Sequence, residues 1–182
     1  MPVRTILKWP DSRLSHVSLD VDASSPHTRQ IAQDLRDTMV SALGVGLAAS
    51  QVGLSDAICV ICSKTFYSDD LKADPVLNDV IVLVNPKVIP VGDETFAWKE
   101  ACLSVEDFAE KVRRYNTVDV EYSNLAGDKL KVRISGELSG VIQHETDHLI
   151  GKTFLERLSS EKRRKAKSII LSRKRRKAQL LK

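Results

Sequence analysis

The sequence predicts an α+β protein. Mixed or antiparallel sheets should pack around a central helix carrying His144-Glu145-Thr146-Asp147-His148, with one helix near the N-terminus and another at the C-terminus. Three observations carry this. A helical apolar stripe comes first, several short apolar runs of strand length follow, and helical periodicity returns only after residue 139. Helices do not alternate with the strands, which argues against βαβ units.

The first helix opens at Ser24-Ser25-Pro26, a capping serine followed by proline in the first turn. Ile31, Leu35, Met39 and Leu43 then recur every four positions, and Gly44 is the expected stop. The segment from Gly44 to Gly53 is small, glycine-punctuated and nearly uncharged. It reads as a loop passing close to something, or as a tight turn. Ile58 to Ile61 and Val80 to Val84 read as strands, the second ended by Asn85-Pro86, with a third possible over Val88 to Val91. Ser68 to Asn78 is polar, contains Asp74-Pro75, and reads as a surface loop. Asp119 to Tyr122 and Lys129 to Ile134 flank Asn124-Leu125-Ala126-Gly127 as a hairpin. Ser139 to Ile150 is helical, with Gly151 where a helix should end. A last helix, capped by Ser159 or Ser160, is predicted to the C-terminus.

A chain of 182 residues fits one domain with a buried core. No apolar run reaches the roughly 18 residues of a membrane span, and the opening residues lack a signal-peptide core. A cytoplasmic location is expected. Three cysteines argue against a disulfide framework. Cys59 and Cys62 form C-x-x-C, but within a strand their side chains point to opposite faces, so core packing is the simpler reading. Charge is uneven. From Ser159 to Lys182 there are eleven Lys/Arg and one acid, a net of +10; the whole chain is +4, so Met1 to Leu158 carry −6. A catalytic domain over 1–158 and a basic helical extension over 159–182 are therefore expected, the extension facing an anionic partner such as RNA.

His144 and His148 are four apart, on one helix face, where two imidazoles can share an ion. Glu145 beside the first can reach water held by that ion. A catalytic site of this kind usually takes three protein ligands and leaves one position open. One zinc-protease pattern places a third histidine where this chain has Phe154, which cannot ligate. Another uses a downstream glutamate, and Glu156 and Glu161 are poor candidates beside the basic tail. Upstream, Cys102 offers a thiolate that would suit iron, zinc, nickel or cobalt. Taken alone, Cys102 could equally be an ordinary buried thiol.

Three segments resemble the signatures of the peptide deformylases in the same order: Gly44 to Gln51 (G-x-G-L-A-A-x-Q), Glu100 to Ser104 (E-G-C-L-S) and Gln143 to His148 (Q-H-E-x-D-H). The opening Ile6 to Leu14, Val84-Asn85-Pro86 and Asp147 to Lys152 are also similar to the family. The resemblance implies a hydrolase that removes the formyl group from N-formylmethionyl nascent peptides, releasing formate during N-terminal methionine processing. It implies Cys102, His144 and His148 as ligands of Fe(II), with zinc or nickel able to occupy the site; the ligand set itself also admits cobalt. Glu145 would be the general acid/base. Gln51 and the backbone N–H of Leu103 would hold the oxyanion, and Gly44, Val45 and Gly46 would line the peptide groove. It further implies that the tail docks on the ribosome and its RNA. No membrane partner is expected, since no apolar run is long enough to span one.

Two positions depart from the family. Ala101 stands where glycine is usual, an alanine that would cost on the order of 1 kcal/mol if the site needed positive φ. The stretch Ser104-Val105-Glu106-Asp107 lacks the proline that often follows the family's serine. Two other readings remain at this point: an H-E-x-x-H zinc peptidase, and a ribosome- or RNA-binding protein whose catalytic site has decayed.

Overall fold

The computed structural model describes residues 3–65, 71–77 and 79–180. Among them the order is α1 (Pro26–Ser41), β1 (Gly46–Ala48), β2 (Ile58–Cys62), β3 (Val80–Pro90), β4 (Thr95–Cys102), β5 (Val105–Tyr115), β6 (Thr117–Ser123), β7 (Lys129–Ser135), α2 (Gly136–Leu149) and α3 (Ser160–Leu180). All strand pairs are antiparallel. A five-stranded sheet has the order β1-β2-β3-β6-β7, and β4 and β5 form a separate two-stranded ribbon.

The five-stranded sheet lies between two helices, which explains its unbroken apolar strands. Ile58 and Val60 of β2 join Val80, Val82 and Val84 of β3 against Ile31, Leu35 and Met39 of α1. The alternate residues Cys59, Ile61, Ile81 and Leu83 face Leu138, Val141, Ile142 and Leu149 of α2. Cys59 and Cys62 thus point to opposite faces, as their spacing predicts. A third cluster joins Val105 and Val112 of β5, Phe154, Leu155 and Leu158, and Ala166 and Ile170 of α3.

Ser25 caps α1 through its hydroxyl, as expected. The predicted glycine stop is misplaced. The helix ends at Ser41, and Leu43, not Gly44, takes the left-handed conformation at φ 54°. Leu43 therefore leaves the apolar stripe and is 92% exposed. Gly44 to Gly53 is not simply a loop: it holds β1 and a 3-10 turn over Ala49–Val52. Nor does Asn85-Pro86 end a strand. β3 runs through it with a bulge between Val84 and Lys87, and Asn85 adopts φ 51°. The hairpin of β6 and β7 forms as predicted, with Val120 opposite Val132.

The Ser68 to Asn78 reading lies partly outside the described residues (68–70 and 78). Within 71–77, Leu71 and Leu77 are buried and Asp74 caps a turn by accepting from the N–H groups of Val76 and Leu77, so the segment is less superficial than expected. In α3 the hydroxyl of Ser159 accepts from Lys162 N; residues 181–182 lie outside the described set. No helix among the described residues is long and apolar enough to cross a membrane.

Candidate metal centre and cleft

His144 and His148 sit one turn apart on α2, 8% and 1% exposed, with ring centroids 5.0 Å apart. Cys102, the last residue of β4, comes to the same place. Its Sγ lies 3.2 Å from His148 Nε2, and the ligand atoms of the three residues all fall within 4.8 Å of one another. A thiolate and two imidazoles suit a soft or borderline divalent metal.

Further observations show that the residues fit such an ion. His144 Nδ1 is committed to Glu100 Oε2 at 2.7 Å, leaving Nε2 to face the cluster. Burial pushes the Cys102 thiol up, but His148 and His144 beside it outweigh burial and hold it well below the usual thiol range. Glu145 is buried, and its Oε2 has no hydrogen-bond partner among the described residues. Burial raises its carboxyl to about 7, the value of a group that can both take and give a proton near neutrality.

The centre rests on a buried ionic chain that sequence reasoning did not find. Glu100 accepts from Arg114 Nε at 2.7 Å and from a second guanidinium nitrogen at 3.0 Å. Arg114 also reaches Asp147 at 2.6 Å, and Arg157 binds the same carboxylate. These are the partners of Asp147 that its sequence position did not reveal. Burial raises Glu100, yet hydrogen bonds from His144 and Arg114 prevail and lower it to about 2. Gln143 adds a clamp: its amide donates to Tyr115 O at 2.8 Å and accepts from Tyr115 N at 3.1 Å, tying α2 to β5.

Phe154, standing where one protease pattern has a histidine, is fully buried and stacks on His144 at 6.3 Å. Glu156 is used locally, accepting from Thr153. The downstream ligands of a zinc protease are therefore absent among the described residues.

A cleft of about 950 Å³ opens onto the centre. Gly44, Val45, Gly46, Gln51, Leu103 and Glu145 all line it, while His148 lies behind. Gln51 is held by its own backbone neighbourhood. Its Oε1 accepts from Ala48 N at 2.8 Å, and its Nε2 points at Ser104 Oγ (3.1 Å) and Cys102 Sγ (3.5 Å). Ala101 also lines the cleft. It lies in β4 opposite Ala109 and is not among the residues with positive φ, so the strain considered for alanine there does not arise.

Gly46 leaves room for the Glu145 carboxylate. A Cβ on it would lie 2.4 Å from Glu145 Oε1. Gly46→Ala is expected to displace the carboxylate and lower kcat by at least tenfold with metal content unchanged. Activity and metal assays check this; wild-type kcat would refute it.

The sequence profile of the polypeptide deformylase family matches residues 3–164. The chain belongs to the peptide deformylase family. A peptide deformylase of Polynucleobacter necessarius is 38% identical over 163 residues, 90% of each chain. One of Campylobacter jejuni is 36% identical over 163 residues, again 90% of each. The crystal structure of peptide deformylase from Ehrlichia chaffeensis superposes with a TM-score of 0.83 at 30% identity, covering 97% of this chain and 99% of that one. The chain is accordingly a metal-dependent deformylase, a hydrolase acting on N-formylmethionyl peptides. The α+β fold expected from the sequence is the deformylase fold.

Proposed function

We propose that Cys102, His144 and His148 hold one divalent ion, Fe(II), with zinc, nickel or cobalt able to replace it, and that the cleft residues divide the deformylation among them. When bound, the ion supplies Lewis acidity toward water and toward the formyl oxygen. Glu145 takes the proton of the attacking water and passes it to the leaving amine. Gln51 Nε2 and the Leu103 N–H donate to the oxygen as negative charge develops on it, without adding a competing charge. Gly44, Val45 and Gly46 border the peptide. β1 lies at the edge of its sheet, so an extended chain can pair alongside. Formate and a free N-terminal methionine result.

The observation that carries this reading is the buried, partnerless Glu145 oxygen beside the Cys102–His144–His148 cluster. A solved Acinetobacter baumannii class I type b peptide deformylase, 28% identical with a TM-score of 0.75, is bound to Met-Ala-Ser, the sequence of the expected product. The test incubates anaerobically purified, Fe(II)- or Ni(II)-loaded protein with formyl-Met-Ala-Ser and measures formate and free amine. Gln51→Ala should lower kcat by roughly 10²–10³, the usual cost of one oxyanion donor. Internal peptide cleavage, or no formate, would sink the proposal.

We also infer a catalytic domain over 1–158 with an extension over 159–182 that docks on ribosomal RNA in the cytoplasm. Arg164, Lys165, Lys174, Arg175 and Arg176 are all exposed along α3, a basic surface suited to phosphates. Because Ala166 and Ile170 are buried against the body, removing the helix would disturb the core. Charge removal is the cleaner test. Lys174→Gln, Arg175→Gln and Arg176→Gln together should weaken co-sedimentation with ribosomes and reduce its salt dependence. Equal pelleting at low salt would refute RNA docking.

A further inference from the structure

The two groups assigned to the oxyanion come from separate parts of the fold. Gln51 belongs to the 3-10 turn that follows β1, at the edge of the five-stranded sheet. Leu103 lies in the turn between β4 and β5, on the ribbon. Sheet and ribbon share no hydrogen-bonded strand edge, so no ladder sets the distance between the two donors. That distance matters, because such donors act only when they stand about 2.7–3.1 Å from the developing charge.

Three consecutive residues near the N-terminus bridge the gap. Leu7 N donates to Gln51 O at 2.8 Å, and Trp9 N donates to Ser104 O at 2.8 Å. Between them, Lys8 Nζ donates to Leu103 O at 2.7 Å. A peptide unit is planar and trans, so its C=O and N–H point to opposite sides. Holding Leu103 O therefore aims the N–H of the same peptide, that of Ser104, the other way, and it lies 3.4 Å from Cys102 Sγ. Ser104 closes the circuit: it is fully buried, and its hydroxyl accepts from Gln51 Nε2 at 3.1 Å.

The bridging segment is itself anchored. Leu7 is buried, Trp9 packs on the cluster that includes Phe154 and Ile170, and Lys167 of α3 lies over the Trp9 ring at 5.7 Å. Lys8 also pairs with Glu106 at 3.1 Å, but both side chains are partly exposed and Lys177 approaches the same carboxylate at 3.8 Å. An exposed pair of this kind adds little. The hold on Leu103 O is what fixes the turn.

We infer that Leu7–Trp9 is a strap that sets the spacing of the two oxyanion donors, and that Lys8 is its positioning residue. The inference rests on the oxyanion roles proposed above for Gln51 and Leu103. Lys8 acts through the Leu103 backbone and not on the reacting atoms.

The experiment uses the full chain, metal-loaded, with formyl-Met-Ala-Ser. Misplacement by about 1 Å costs about 10²-fold. Lys8→Met keeps the stem and the two backbone bonds of the strap, so a loss in kcat of about tenfold is expected, with KM, metal content and melting temperature near those of the unaltered protein. Lys8→Arg, which keeps a cationic donor, should recover most of that loss. The deciding readout is a double-mutant cycle. Once Gln51→Ala has removed one donor there is no spacing left to set, so adding Lys8→Met should lower kcat by less than about twofold. A tenfold loss in both backgrounds would overturn the inference, and so would an unchanged kcat. A rise confined to KM would make Lys8 a substrate contact instead, and a parallel fall in metal content or melting temperature would make it merely structural. Each of these leaves the oxyanion roles standing. Full activity in Gln51→Ala, or no formate from the unaltered protein, would overturn those roles and this inference together.

Discussion

Glu145→Gln is expected to lower kcat for formyl-Met-Ala-Ser by about 10²–10⁴, the usual contribution of a positioned general acid/base. Metal content, peptide KM and melting temperature should stay near those of the unaltered protein. The amide keeps the shape of the carboxyl, which matters because space beside it is short: even a Cβ at residue 46 would lie 2.4 Å from Glu145 Oε1. It cannot accept a proton from water or return one to the amine. The split is therefore diagnostic: a loss confined to kcat separates proton transfer from folding and from metal retention. A fall in metal content equal to the fall in kcat would show that Glu145 acts by holding the ion.

Glu100→Gln is expected to act on two properties at once. His144 loses the carboxylate that fixes its ring, and losses of this kind weaken metal binding by roughly 10–100-fold. Arg114, 4% exposed, loses one of its two anionic partners. Breaking a buried ion pair costs about 3–5 kcal/mol; Asp147 remains, which favours the lower end. Metal content after dialysis against a weak chelator, and denaturant unfolding, measure the two effects separately. An unchanged metal content would show that Glu100 is structural only.

The parts of the fold legible in the sequence were those with strong local patterns. α1 was announced by Ser25 and the four-residue stripe, and α2 by its periodicity and Gly151. The hairpin of β6 and β7 was marked by Asn124 to Gly127. The ribbon of β4 and β5 was invisible for a physical reason. Among the described residues Thr95–Cys102 and Val105–Tyr115 pair only with each other; they carry many charges and bury few side chains, so no apolar alternation marks them. Missing that ribbon hid the part Glu100 plays, because only a strand places residues 100 and 102 on one face. Arg114 was hidden by distance: its partners lie 14 and 33 residues away. β3 was broken in two because Asn85-Pro86 reads as a stop, whereas the chain absorbs it as a bulge. Cys102, His144 and His148 were recognisable because helix spacing and motif order constrain them before any fold is known.

The ribbon has one more consequence. It shares no hydrogen-bonded strand edge with the five-stranded sheet, yet it delivers Cys102 to a centre whose other two members ride on α2. An ion held there is a rivet between two parts that otherwise meet mainly through side chains, with a backbone hydrogen bond from Trp9 N to Ser104 O besides. Ligand binding stabilises whatever conformation it selects, so here it would stiffen the ribbon far more than the helix–sheet–helix sandwich, which has its own packed layers. Losing the ion should then silence the protein without melting it. The spent form would keep its shape, with only the ribbon breathing, and could be re-armed by metal alone.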